Sequence, residues 1–295
     1  MVCRMKHLNQ FITEYIIKKK LDKPIDSEDH YEYYPKTKDE LIHNIKNLIK
    51  QDIYDFNCID TSEITDMSYL FDDLENISIK ENFDVSEWDV SNVTNMSHMF
   101  NKCIKFDCDL SKWNVSKVKY MAAMFAGCEN FNCDLSNWDV SNVENMVGVF
   151  SKCESFKGKG LEKWNVSNVK HTDLMFNYCI NFDGKSIENW NVGNVLSARS
   201  MFYSCKNLNC NLSNWDVSNI LDMNKMFYNC TSFEGVGIEK WDVSSVKYID
   251  QLFFNCSSLK NNKLKLWNTI NVKDAYKVFD GCTSLKNKPR LIHKK

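Results

Sequence analysis

Eight tryptophans stand at positions 88, 113, 138, 164, 190, 215, 241 and 267, and the 295-residue chain has no others. Their spacings are 25, 25, 26, 26, 25, 26 and 26 residues. A fixed period in this range is the mark of stacked coils, because one coil cannot bury its apolar face alone. Around each Trp the same phrase returns, as in Trp88-Asp-Val-Ser-Asn-Val-Thr-Asn-Met-Ser-His-Met-Phe-Asn-Lys-Cys103. The period predicts one elongated α/β solenoid rather than two globular domains.

Two rhythms alternate within a coil. Val93, Met96, Met99, Phe100 and Cys103 are spaced 3, 3, 1 and 3 apart, one face of a short helix, with Ser91 and Asn92 as cap types before it. Leu110, Trp113 and Val115 read as a strand. The expected coil is therefore one short parallel strand around the Trp and one short helix, repeated as a leucine-rich-repeat-like, right-handed array. Strands stack about 4.8 Å apart and helices about 8–10 Å, which predicts strands on the inner, concave side. Coils of 26 residues carry an extra residue near Gly158, Gly184 or Gly235, expected as a bulge at positive φ.

The array is bounded by its punctuation: all three prolines (Pro24, Pro35, Pro289) lie outside it and all nine glycines inside. Residues 1–35 read as a leader with a short amphipathic helix on Leu8, Phe11, Ile12, Tyr15 and Ile16. Residues 36–87 read as an amino-terminal cap. Its Thr37-Lys-Asp-Glu40 forms a capping box before Leu41, Ile42, Ile45, Leu48 and Ile49, and a degenerate first coil follows. Residues 88–288 are the eight-coil array, and 289–295 a basic tail.

Eight of the thirteen cysteines (103, 128, 153, 179, 205, 230, 256 and 282) fall fifteen residues after a Trp. A residue recurring once per coil fills one slot, and free Cys behaves as a small hydrophobe, so a buried, reduced column is expected, with oxidation open. The net charge of −2 offers no electrostatic basis for nucleic acid or an anionic membrane. No run approaches 18 apolar residues, so no membrane insertion is expected. The first twenty residues show neither an uninterrupted apolar core nor a small-residue cleavage site, which predicts a cytoplasmic protein.

The phrase Trp-Asp-Val-Ser-Asn-Val-x-x-Met-x-x-Met-Phe-x-x-Cys resembles the repeat of BspA-like surface proteins, including the mycoplasma-lipoprotein type. Tyr-Tyr-Pro35-Lys-Thr-Lys-Asp-Glu-Leu, running into Ile-Asp-Thr-Ser-Glu-Ile-Thr-Asp-Met67, is similar to how such arrays begin. The resemblance spans 33–287 and implies a leucine-rich-repeat-like solenoid without enzymatic activity. Surface members of the family are associated with adhesion. This chain departs from them in showing no lipid-anchor cysteine motif: Cys3 sits in Met-Val-Cys-Arg. The cell surface, reached by an unrecognised route, stays the alternative location.

No glycine-rich phosphate loop, His-Glu-x-x-His or Gly-x-Ser-x-Gly occurs, so no catalytic residues, and no cofactor, are assigned. The recurrent Cys-x4-Cys (103/108, 128/133, 205/210) is not zinc-module spacing, and no metal is expected. Asn-x-Ser/Thr triplets at Asn92, Asn95, Asn114 and Asn165 come with the repeat phrase and read as turn caps. Two binding candidates remain. The first is a concave-face polar ladder just after each Trp: Asp89, Asn114, Asp139, Asn165, Asn191, Asp216, Asp242 and Asn268. It is either a hydrogen-bonded structural ladder or a ligand surface. The second is the slot after the core Phe, which holds Asn101, Ala126, Ser151 and Asn177, then Tyr203, Tyr228 and Phe254, with Tyr178 one position over. These rings either dock a partner or merely cover a junction. The function expected is a non-catalytic repeat protein that binds another protein, as an intracellular scaffold. An adhesin or a self-associating structural protein is the alternative.

Overall fold

The computed structural model describes residues 31–72 and 83–289. The leader helix expected over Leu8–Ile16 and the tail beyond Pro289 lie outside the described residues. From Tyr33 onward the chain forms one compact unit. Tyr33 is already bound into it, donating to the Cys58 carbonyl and accepting from the Asp60 N–H.

The helix read after Thr37 forms. Helix α1 spans Lys38–Lys50 with Thr37 as its N-cap. The Thr37 hydroxyl oxygen accepts from the Glu40 N–H at 3.2 Å, and the Glu40 carboxylate accepts from the Lys36 N–H at 2.6 Å. One orphan amide of the first turn is thus satisfied, and the Glu40 carboxylate holds the N–H of the residue before the cap. Leu41, Ile45 and Leu48 are buried, so the helix closes apolar surface against the first coil.

Coils are numbered here by their Trp, from coil 1 at Trp88 to coil 8 at Trp267. Parallel backbone pairing runs without a break through Asp66, Asn95, Tyr120, Asn145, His171, Ser197, Asp222, Tyr248 and Asp274. Each of these residues from Asn95 on lies seven after its Trp, and Asp66 is the matching position of the degenerate first coil. That coil therefore stacks like the others, although it has no Trp.

The coil interior corrects two expectations. The parallel pairing is not around the Trp, and the stretch read as a helix is not helical. In coil 1 the N–H groups of Met96, His98, Phe100 and Lys102 donate to carbonyls of coil 2 at 2.6–2.9 Å. The alternate residues Met99, Asn101 and Cys103 close turns on the third residue back. A helix needs every N–H pointing along one axis; here every second one points to the neighbouring coil. Two residues per coil make this possible by adopting the left-handed conformation, ten and fourteen after the Trp. They include His98 (φ 59°), Lys102 (62°), Leu174 (59°) and Tyr178 (59°). Left-handed residues end a helix and suit the third place of a type II turn.

The misleading spacing has a physical source. Turn bonds run Val93→Val90, Met99→Met96, Cys103→Phe100, Phe106→Cys103, Trp113→Leu110 and Val118→Val115, N–H to carbonyl. Every one joins two buried apolar residues. A chain of three-residue turns with inward corners imitates the 3, 3, 1, 3 pattern of a helical face. The positive φ expected at these glycines is present, with Gly158, Gly184 and Gly235 at 82°, 83° and 79°, whereas the fourth 26-residue coil has Asn261 at φ −72° in that place. The short 3-10 helices Leu161–Lys163, Lys185–Ile187, Ile238–Lys240 and Asn262–Leu266 fall in the four 26-residue coils. Gly158, Gly184 and Gly235 are also places of close approach. A Cβ on Gly184 would lie 2.6 Å from the Cys210 sulfur, so the longer coil needs its glycine.

All eight indole N–H groups donate backwards to the carbonyl three residues before the previous coil's Trp, or its counterpart, at 2.8–3.2 Å. From the Val85 carbonyl onward, that oxygen also accepts the backbone N–H of its own coil's Trp, so both lone pairs are used. Where Trp rings of successive coils stack, their centroids are 6.3–6.4 Å apart. The core Phe column from Phe71 to Phe279 stacks at 5.4–5.9 Å. Trp164→Phe should keep most of the burial but lose the N–H bond to the Leu135 carbonyl, costing about 1–2 kcal/mol. Trp164→Ala should cost about 3–5 kcal/mol. Urea unfolding of both variants checks the order.

Candidate functional site

The column of Asp89, Asn114, Asp139, Asn165, Asn191, Asp216, Asp242 and Asn268 is exposed, but its side chains are already engaged. Each side-chain oxygen accepts the backbone N–H two residues on, at 2.9–3.3 Å. This is an Asx turn, the local geometry that Asp and Asn adopt most readily. The ladder thus shapes the chain leaving each Trp. Asn92 has a parallel role: its amide donates to the Ser62 carbonyl at 2.8 Å, and Asn142, Asn168, Asn194, Asn219 and Asn271 each donate likewise to a carbonyl of the preceding coil.

The cysteine column is buried, and none of the twelve described cysteines is disulfide-bonded. Seven thiols, from Cys128 to Cys282, donate to the core Phe carbonyl of the preceding coil at 2.9–3.0 Å. Burial pushes the Cys128, Cys153, Cys205, Cys230 and Cys256 thiols far up, and Cys282 to about 11. Thiolate is the nucleophile and the metal ligand, so this column is packed for structure. Among the described residues no group of three or more His, Cys, Asp or Glu is placed to hold a metal. His98 stacks on Tyr69 at 4.5 Å, and His171 is one of the backbone-paired residues.

An open cleft of about 450 Å³ lies beside Asp55, Asp84, Asp107, Cys108 and Asp109. Three of its carboxylates serve turns: Asp55, Asp84 and Asp109 accept from the N–H of Asn57, Ser86 and Ser111. Their charge is tied to the local backbone, as in the Trp-flanking ladder.

The aromatic slot is different. Tyr203 and Tyr228 lie face to face, centroids 4.5 Å apart and planes within 1°, and Phe254 follows Tyr228 at 4.7 Å. Tyr178, one position over in sequence, joins the row: its ring is 5.4 Å from Tyr203 at a 43° tilt. Its left-handed backbone (φ 59°) and the bond from its N–H to the Tyr203 carbonyl place it there. Tyr178 is 40% exposed and the other three rings are half-buried. Burial, together with hydrogen bonding to Tyr178 and Tyr228, pushes the Tyr203 phenol up to about 12. The Tyr203 hydroxyl therefore stays protonated at neutral pH.

The structure also exposes apolar residues that the sequence reading passed over: Leu174, Leu196, Leu221 and Tyr248 are 38–41% exposed. A signal for two of them was available. Leu196 and Leu221 occupy the slot six after Trp, where other coils carry Thr94, Lys119, Glu144, Lys170, Lys247 and Lys273.

Two predictions follow from the engaged side chains. Alkylation of the native protein at pH 8 should spare Cys103, Cys128, Cys153, Cys179, Cys205, Cys230, Cys256 and Cys282 and label them all after unfolding, as peptide mass spectrometry would read. The Asp139 carboxyl is held below its ordinary value by the Ser141 hydroxyl and N–H. Its contribution is present above about pH 4 and is lost as pH falls through the lowered folded value. Asp139→Asn keeps the acceptor, as Asn114 and Asn165 do, so it should flatten the acid limb of a melting-temperature profile without lowering stability at pH 7.

Three overlapping segments, residues 39–160, 145–236 and 199–291, match one family model, described as "Mycoplasma protein of unknown function, DUF285". No curated protein matches the chain. A solved structure titled "Crystal structure of TLR13-ssRNA13 complex" is 15% identical over 84% of this chain and 37% of that one. Its TM-score of 0.32 is too low to bear on fold or function, and this chain spans little more than a third of that protein. Matched from residue 39 to 291, with its Trp period running through every segment, the chain belongs to the DUF285 family of mycoplasma-type proteins of unknown function.

Proposed function

We propose that the chain is a non-catalytic repeat protein that binds another protein through the Tyr178–Tyr203–Tyr228–Phe254 row. One observation carries this reading. Tyr203, Tyr228 and Phe254 of successive coils stack in partly open positions, with Tyr178 tilted against the row, where the earlier coils keep Asn101, Ala126, Ser151 and Asn177 in the same slot. Rigid aromatic side chains lose little entropy on contact and dominate protein interfaces. Support for a binding rather than a chemical role comes from the carboxylates and thiols: those that recur per coil are committed to turns and to neighbouring carbonyls. The reading extends to the leucine-rich-repeat-like class and its right-handed coiling, as the resemblance to BspA-like repeats implies.

An unbridged thiol column fits a compartment that keeps thiols reduced, which favours a cytoplasmic scaffold. Among the described residues no helix is long and apolar enough to cross a membrane. The repeat phrase favours the second reading, a BspA-like adhesin at the cell surface. Brief protease treatment of intact producing cells separates the two: release of array peptides before lysis supports the adhesin, and protection until lysis supports the scaffold.

The triple variant Tyr203→Ser, Tyr228→Ser, Phe254→Ser should fold with nearly native circular dichroism and lose a protein that crosslinks to the wild-type chain in producing cells. If every crosslinked protein were retained, the row would be a cover over the junction and the docking reading would fail.

A further inference from the structure

The aromatic row ends in a charge. The slot thirteen after Trp holds Tyr203, Tyr228 and Phe254 in coils 5 to 7, and Asp280 in coil 8. One backbone bond repeats along it: the N–H groups of Tyr178, Ser204, Asn229 and Asn255 donate to the carbonyls of Tyr203, Tyr228, Phe254 and Asp280, each at 2.7 Å. Asp280 therefore stands in the register position where a further ring would continue the row. It is exposed, and among the described residues its carboxylate is in no hydrogen bond or ion pair. Carboxylates elsewhere on the crossing stretch are occupied: Asp173, Asp222 and Asp250 hold the N–H groups of Arg199, Asn224 and Tyr276. Lys277, three residues before Asp280, has its ammonium over the Tyr276 ring, 5.0 Å from the centroid.

Tyr228 covers one face of Phe254, with centroids 4.7 Å apart and planes within 8°. Among the described residues no ring covers the other face, and Phe254 is half-buried. Aspartate is the shorter side chain, so it leaves the outer part of that face uncovered. The result is a notch with an aromatic wall and a carboxylate beside it, one coil thick. Both features repel an anion, because the face of a ring is its negative side. A neutral ring would stack on the wall and leave the carboxylate unpaired. An ammonium is a strongly hydrated point charge that pairs with a carboxylate but has no flat face to stack. A guanidinium satisfies both: it lies flat on an aromatic ring and points its in-plane N–H donors at a carboxylate in the same layer.

We propose that the notch between Phe254 and Asp280 receives an arginine side chain of the protein that docks on the aromatic row. The proposal rests on the row being a docking face, and it specifies one residue of the partner. The guanidinium takes the place of a fourth ring, stacked on Phe254 and paired with Asp280.

Nuclear magnetic resonance of the full chain, carrying isotopically ring-labelled phenylalanine, tests it. The Phe254 signal is the one that Phe254→Leu removes. Nα-acetylarginine amide should shift that signal saturably with a Kd on the order of 10 mM, as suits one exposed ion pair with a stacked cation. The citrulline analogue lacks the charge and the lysine analogue lacks the plane, so each should bind about threefold more weakly or worse. Asp280→Asn, at an exposed position, should weaken the arginine probe by about threefold or more. An unmoved Phe254 signal would overturn the notch, as would equal binding of the arginine and lysine probes or equal binding by wild type and Asp280→Asn. An unmoved signal alongside an aromatic triple variant that loses its crosslinked protein would overturn the notch and keep the proposed function. A notch that binds the arginine probe while the triple variant keeps every crosslinked protein would keep the guanidinium site and remove the docked protein from it.

Discussion

The structure depends on one division of labour among backbone amides. Between eight and fourteen residues after each Trp from Trp88 to Trp241, every second N–H crosses to the next coil and most of those between close a turn within their own. Neither set alone would do. Turn bonds without the crossing ones leave a string of loops, and crossing bonds without turns leave an extended strand that cannot come back around within 25 residues. The alternation requires two left-handed residues per coil, and non-glycine side chains hold that conformation only where the surroundings over-determine it. Here the crossing bonds supply that constraint, and the stacked Phe and Trp columns hold the coils close enough for the bonds to form.

This explains which parts of the fold were legible in the residues. The Trp period, the N-cap at Thr37, and the glycine that goes with three of the four extra residues all act through one residue type in one place. Each is visible without knowing what lies beside it. The supposed helix was not, for two reasons. Inward corners three residues apart look the same whether an α-turn or a β-turn separates them. The left-handed slots, moreover, advertise themselves unevenly, the one fourteen after Trp by Gly or Asn in four of eight coils and the one ten after it hardly at all. The slot ten after Trp holds His98, Ala123, Gly148, Leu174, Ser200, Lys225, Gln251 and Lys277, so only one coil shows the glycine that would have revealed it. The pairing position was lost with them, because Asn95, Tyr120 and Asn145 share no strand-like chemistry.

The candidate site was legible to the degree that it departs from the repeat. Tyr203, Tyr228 and Phe254 stand out because Asn101, Ala126 and Ser151 define the slot. The polar ladder after each Trp, uniform along the chain, proved to be turn chemistry. Uniform columns answer to the stack, since a coil that broke them would lose its neighbour on both sides. Tyr178 belongs to the row although its number is out of register. A left-handed residue redirects its side chain, and no count along the sequence registers that.

The same reasoning indicates where function can reside in such an array. The slots that face the core or bond across coils have no freedom to recognise anything: Trp, Phe, Cys and the Asx oxygens are committed in every coil that carries them. Only the outward slots of the crossing stretch vary freely, at six, nine, ten and thirteen residues after Trp. In coils 5 and 6 slots six and thirteen are both apolar, Leu196 with Tyr203 and Leu221 with Tyr228, and slot thirteen stays aromatic in coil 7 at Phe254, while coils 1 to 3 keep small or polar residues in most of these slots. A surface that was only solvated would have no reason to change over successive coils in both columns together. Exposed apolar side chains in register over several coils are costly to leave in water. Their occurrence on the part of the coil that the backbone holds most rigidly is the physical case for an interface there.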